Sequence, residues 1–191
     1  MKENFWVNKL LDYQIIESKD VEVYKYGMEC LVLKAITLII CGIIAFLLKK
    51  PGEFIIILLS FIMIRRCAGG YHAKTRYGCI MFSCISMFVS LVLCELHLTL
   101  VFHIFVLISI DTGLIFIAPI DNEKNRFNDL EKEFFKRKTC KTLLIMNIVC
   151  GCLLLLNMTT IYVPLISGLA MSFFFVIMGK MQENNDLNTS I

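Results

Sequence analysis

Two side chains capable of covalent chemistry stand seven residues apart: His72 and Cys79, in the run Arg65-Arg66-Cys67-Ala68-Gly69-Gly70-Tyr71-His72-Ala73-Lys74-Thr75-Arg76-Tyr77-Gly78-Cys79. A thiolate nucleophile with an imidazole base is the arrangement of cysteine peptidases. On a continuous helix the pair would lie two turns apart, about 10.5 Å along the axis. Proton transfer needs heavy atoms about 3 Å apart, so the chain must fold back between them. Gly69, Gly70 and Gly78 offer such a path, because glycine adopts positive φ without a Cβ penalty. Cys79 follows Gly78 where an apolar segment begins. Its sulfur can face a helix N-terminus, with Arg65, Arg66, Lys74 and Arg76 nearby, surroundings that favour a thiolate.

Papain-like sites add a third residue that orients the histidine. Glu95 is a poor candidate, about 24 Å from Cys79 if the intervening residues are helical. Glu29, at the start of the first apolar segment, and Asp111, partway along a later one, are the candidates. A metal reading would use Cys67, His72, Cys79 and Cys84, but zinc sites prefer tighter pairs such as Cys-x2-Cys. Neither a metal nor a cofactor is expected. A thiol oxidoreductase would want Cys-x-x-Cys, and the nearest match, Cys150-Gly151-Cys152, lies in an apolar run. His97 and His103 are expected to be structural, near the outer face.

The elements that must position this loop are apolar and long. The 191 residues are 58% hydrophobic, against about 45–50% in soluble domains, and the apolar residues fall in runs of membrane-spanning character. The first 28 residues carry nine charges and do not resemble a cleavable signal peptide. Most of the nine cysteines sit in apolar runs, where free thiols behave as small hydrophobes, so no disulfide framework is expected. Residues 3–17 read as an amphipathic interfacial helix, with Val7, Leu11 and Ile15 in one row and Trp6 and Tyr13 suited to a headgroup boundary. Six apolar segments follow: Cys30–Leu48, Phe54–Ile64, Cys79–Leu96, Leu98–Ala118, Thr142–Met158 and Ile161–Gly179. The second has only 11 residues, about 17 Å as a helix, and is either a short crossing or re-entrant.

The fold expected is an all-α integral membrane protein of about six spans. Residues 1–28 form an N-terminal interfacial segment, 29–179 the membrane domain, and 180–191 a polar tail. If the N-terminus is cytoplasmic and every segment crosses, the inner regions hold 16 of the 19 Lys and Arg, including four in the 65–79 loop and seven in the 119–141 loop. That asymmetry obeys the positive-inside rule and puts both loops, and both termini, on the cytoplasmic side. In the 119–141 loop, Asn128-Asp129-Leu130-Glu131 reads as a capping box. It opens a helix with Leu130, Phe134 and Phe135 on one face and Lys136, Arg137, Lys138 and Lys141 at its end, suited to anionic lipid or a peptide substrate.

The pattern Arg65-x-x-Ala68-Gly69-Gly70-x-His72-Ala73-x5-Cys79 resembles the signature of the accessory gene regulator protein B family, bacterial membrane cysteine endopeptidases of quorum sensing. The similarity extends over the whole chain, including the charged loop opening Ala118-Pro119. The resemblance implies cleavage of the C-terminal tail of a small amphipathic pro-peptide, with His72 as base and Cys79 as nucleophile, and cyclisation of the product to a thiolactone or lactone signal. Arg65, Gly69 and Gly70 match signature positions and are expected to shape the loop. Arg65, Arg66 or Arg76 could bind the acidic tail of such a peptide. The family's Lys/Arg-Pro-Leu-type step reads Asn125-Arg126-Phe127 here. The expected partners are the pro-peptide, the lipid bilayer and, as a candidate, a second copy of the chain; no nucleic acid is expected. The alternative is a non-enzymatic exporter of a small peptide that uses the basic loop as a docking site.

Overall fold

In lipid a backbone must satisfy its own hydrogen bonds, and long apolar runs do so as helices. The computed structural model describes residues 13, 20–71, 75–96, 99–120 and 128–189, with residue 76 and residues 185–189 described by backbone alone. The amphipathic segment expected at 3–17 lies outside the described residues except for Tyr13, as do His97 and Asn125-Arg126-Phe127. Among the described residues there are six helices: α1 Val21–Leu47, α2 Pro51–Ala68, α3 Arg76–Leu93, α4 Leu100–Ile117, α5 Asp129–Leu155 and α6 Thr159–Thr189. Among the described residues there is no strand. The protein is an all-α membrane protein. Four of its helices, α1, α4, α5 and α6, are long and apolar enough to cross a bilayer.

Several helices outrun the apolar segments that announce them. The second segment is not 11 residues but an 18-residue helix, α2, about 27 Å long and as long as α3 and α4. Pro51 begins it, where a missing N–H costs nothing, and Glu53, Arg65 and Arg66 are helical residues that hydropathy counting leaves out. Likewise α5 starts at Asp129, and Asn128 N–H donates to Glu131 Oε2 at 3.0 Å, the carboxylate half of the expected capping box. The charged stretch 129–141 is therefore the first half of α5 rather than a separate helix, with Leu130 and Phe134 exposed. Residues 180–189, expected as a polar tail, continue α6.

The packing is centred on α6, which meets α2, α3, α4 and α5. Close approach is a matter of small side chains. A Cβ at Gly168 of α6 would collide with Ser60 Oγ of α2 and come within 2.7 Å of Ile57 O. A Cβ at Gly113 of α4 would run into the Phe173 ring of α6. The two serines at the α2–α6 seam satisfy themselves on their own helices, Ser60 Oγ donating to Ile56 O at 2.8 Å and Ser172 Oγ to Gly168 O at 2.9 Å. Two cores result. One joins α2, α4, α5 and α6 around Ile64, Leu114, Leu143 and Leu169; the other joins α1, α2, α3 and α6 around Cys41, Ile57, Leu91 and Phe175.

Two contacts set α1 and α3 side by side in the same direction. Cys41 Sγ meets Cys84 Sγ at 3.8 Å. Farther along, Lys50 Nζ donates to Leu91 O at 2.8 Å and pairs with Glu95 Oε1 at 2.9 Å. This fixes the level of α3 within the bundle, and with it the level of Cys79.

Candidate functional site

At one end of the bundle α2 stops at Ala68, and Gly69 (φ 75°) and Gly70 (φ 139°) turn the chain through conformations that disfavour a side chain. Neither glycine has room for one: a Cβ at Gly69 would stand 3.2 Å from Ile120 O, and one at Gly70 would stand 2.7 Å from Arg65 Nη1 and 3.2 Å from Phe175 O. Hydrogen bonds hold the turn. Ile120 N–H, just past α4, donates to Ala68 O at 3.2 Å; Tyr71 N–H donates to Phe175 O of α6 at 2.8 Å; and Arg65 Nη2 donates to Tyr71 O. Arg65 does so beside two rings that meet each other edge to face, its guanidinium carbon 4.9 Å from the centre of Phe175 and 5.6 Å from that of Phe61, a pair of cation–π contacts. Arg65 Nη1 is buried without a hydrogen-bond partner. Below it the rings continue: Phe82 of α3 lies 4.9 Å from Phe175, 5.8 Å from Phe174 and 5.3 Å from Tyr71.

The Cys79 side is built by a helix cap. Thr75 is extended (φ −115°, ψ 145°), and its hydroxyl accepts from Gly78 N–H at 3.2 Å, an N-cap that starts α3 at Arg76. Cys79 N–H closes the first helical turn on Thr75 O at 3.2 Å. The cysteine is thus the fourth residue of α3, exposed, and within the reach of the helix dipole. It also interacts electrostatically with Arg65. The helical path ends at Thr75, so the break needed between His72 and Cys79 is present on the cysteine side. Gly78, expected to serve that bend, lies within the helix instead. His72 and Lys74 are outside the described residues; Tyr71 and Thr75, which bracket them, are both held as above.

The other candidate residues separate. Arg66 is exposed and Arg76 opens α3. Glu29 is half-buried on α1. In the register set by Cys41 and Cys84 it falls about 10 Å before the level of Cys79, beyond the start of α3. Asp111 faces α5: its Oδ2 accepts from Asn147 Nδ2 at 2.7 Å, its Oδ1 is buried without a partner, and Cys150 lies beside it. Cys67 meets Thr142 Oγ1 at 3.8 Å while Cys84 meets Cys41, so these two thiols point to different helices. His103 packs edge-on against Tyr162, ring centres 5.5 Å apart, as a structural histidine would.

Sequence reading missed Phe61, Phe82, Phe175 and Ile120, which frame the loop from three helices and a connection. The run Phe173-Phe174-Phe175 is the only local hint, and an aromatic run in an apolar segment reads equally well as lipid-facing. Chemically, the arrangement offers an exposed thiol at a helix start, a guanidinium held under the adjoining turn, and an aromatic floor.

No curated protein and no solved structure matches the chain. The family model described as Accessory gene regulator B matches residues 3–179, nearly the whole chain, including the turn, the cap, α1 to α5 and α6 as far as Gly179. The chain belongs to the Accessory gene regulator B family.

Proposed function

We propose that the chain is a membrane cysteine endopeptidase that removes the C-terminal tail of a small amphipathic pro-peptide and promotes closure of the remainder to a thiolactone or lactone signal. Family membership supports a part in autoinducer processing. The observation that carries the enzymatic reading is Cys79, an exposed thiol in the first turn of α3 within the electrostatic reach of Arg65. The other exposed cysteine, Cys152, sits near the far end of apolar α5.

The reaction balances without a cofactor. His72 takes the thiol proton, Cys79 sulfur attacks the peptide carbonyl, and the scissile C–N bond breaks as the imidazolium protonates the leaving amine. The acyl-enzyme is a thioester. Attack by an internal peptide thiol exchanges one thioester for another, nearly isoenergetic, and returns the proton to Cys79. Hydrolysis would be strongly downhill, so ring closure favours a site poor in water, as at a membrane surface. The distribution of 16 of 19 cationic residues supports a multi-pass chain in a bacterial cytoplasmic membrane, with the loop and both termini cytoplasmic.

The test is tail release from a labelled pro-peptide in membranes. Cys79→Ser and His72→Ala should each abolish release while the protein remains in the membrane. An exporter would tolerate both, and full release by either variant would sink the dyad.

A further inference from the structure

Tyr71, the residue before His72, is held at both ends of its backbone. Its N–H donates to Phe175 O of α6 at 2.8 Å, and its carbonyl accepts from Arg65 Nη2. Its ring packs on Phe82, one turn after Cys79 on α3. Tyr71 therefore ties the end of the turn both to α6 and to the helix that carries the cysteine. The docking on α6 depends on one position. Phe175 O is the carbonyl whose helical partner, four residues on, is Gly179. A Cβ at Gly179 would stand 2.8 Å from Gly70 C, 2.8 Å from Tyr71 N and 3.1 Å from Gly70 Cα. All three are backbone atoms and cannot swing aside as a side chain would. On the other face of the contact, a Cβ at Gly70 would stand 3.2 Å from Phe175 O. Two glycines from distant parts of the chain thus let two backbones touch.

We propose that Gly179 is a positioning residue for the reaction: its missing side chain lets the Gly70–Tyr71 backbone dock on α6, which sets where His72 begins relative to Cys79. The inference rests on the cysteine peptidase reading above. Displacing a catalytic group by about 1 Å can cost on the order of 10²-fold in rate.

The experiment compares Gly179→Ala, Arg65→Lys, His72→Ala and the double variant Gly179→Ala/His72→Ala, in the full chain in membranes, with Gly151→Ala as control, since a Cβ there meets nothing within 4 Å. Membrane level and thermal unfolding are measured beside tail release and the rate of Cys79 alkylation by iodoacetamide. Gly179→Ala is expected to keep wild-type membrane level but unfold at a lower temperature, since the Cβ must displace backbone, with kcat per folded protein down roughly 10²-fold and KM unchanged. Its alkylation rate should fall to that of His72→Ala, and the double variant should be no slower than His72→Ala alone, since both act through the same group. Arg65→Lys, which loses the Nη2 bond to Tyr71 O, should show the same signature.

Wild-type tail release by Gly179→Ala, a further loss in the double variant, or a loss that merely follows the amount of folded protein would each overturn the proposal. If His72→Ala and Cys79→Ser are inactive while Gly179→Ala is wild type, the peptidase reading stands and the positioning role falls. If His72→Ala itself releases the tail, the reading beneath it has failed.

Discussion

Helices α1 and α6 are both apolar and long, yet they occupy opposite situations. The most apolar 18 residues of α1 are more hydrophobic than those of α6, yet 11% of them are buried against 56% in α6. The more hydrophobic helix is the less buried one. In a bilayer the lipid is as apolar as leucine, so hydrophobicity brings a helix into the membrane without choosing its neighbours. Small residues make that choice: Gly168, Ser172 and Gly179 let α2 and the turn after it come close to α6. On α1, by contrast, a Cβ at Gly27 or Gly42 would meet nothing within 4 Å.

Substitutions along the two helices can break this contrast. The largest effect is expected for Gly168→Val, whose branches would have to displace Ser60 and the Ile57 carbonyl; a loss of about 3 kcal/mol in reversible unfolding would fit, with α2 as the first helix to detach. Next comes Asn147→Leu at the α4–α5 seam. It strips Asp111 of its hydrogen bond and leaves a buried carboxyl with no partner for either oxygen, at a cost of about 1–2 kcal/mol. A wild-type unfolding curve for that variant would mean that the seam is held by packing alone.

Lys50→Met tests the pin between the end of α1 and the end of α3. It removes the bond to Leu91 O and the pair with Glu95, and about 1 kcal/mol should be lost. A double-mutant cycle with Glu95→Gln should assign most of it to Leu91 O, because Glu95 is 68% exposed. The smallest effect belongs to Gly42→Ala, which should be neutral or stabilise by up to about 0.5–1 kcal/mol, as for a helical glycine with open space beside it. A loss comparable to that of Gly168→Val would reverse the picture of α1 as lipid-facing and point to a second copy of the chain packed against it.

The same contrast explains which parts of the molecule were legible in the residues alone. The order of the six described apolar helices could be read because each is announced by an apolar run between charges or turn residues. Their ends could not, since Glu53, Arg65, Arg66 and the run from Asp129 to Lys141 leave an apolar count without leaving a helix. That is why an 11-residue segment is an 18-residue helix and why the charged loop is half of α5. Within the site, glycine's freedom made Gly69 and Gly70 candidates for the turn, whereas Gly78, equally free, is helical. A break in the helix between His72 and Cys79 followed from helix geometry. The pairing of Asp111 with Asn147 and of Cys84 with Cys41 did not, because each depends on which helix lies alongside.

The sequence by itself determined a helical membrane protein with a basic, glycine-bearing turn that puts a cysteine at the start of a helix, since local hydropathy, charge and backbone freedom suffice for all of it. Only the tertiary structure decided that α6 is the centre, that Arg65 packs against the Phe61 and Phe175 rings, and that Gly70 and Gly179 meet. Those contacts join residues far apart in the chain, and whether two surfaces can touch is a question of shape that no local pattern records.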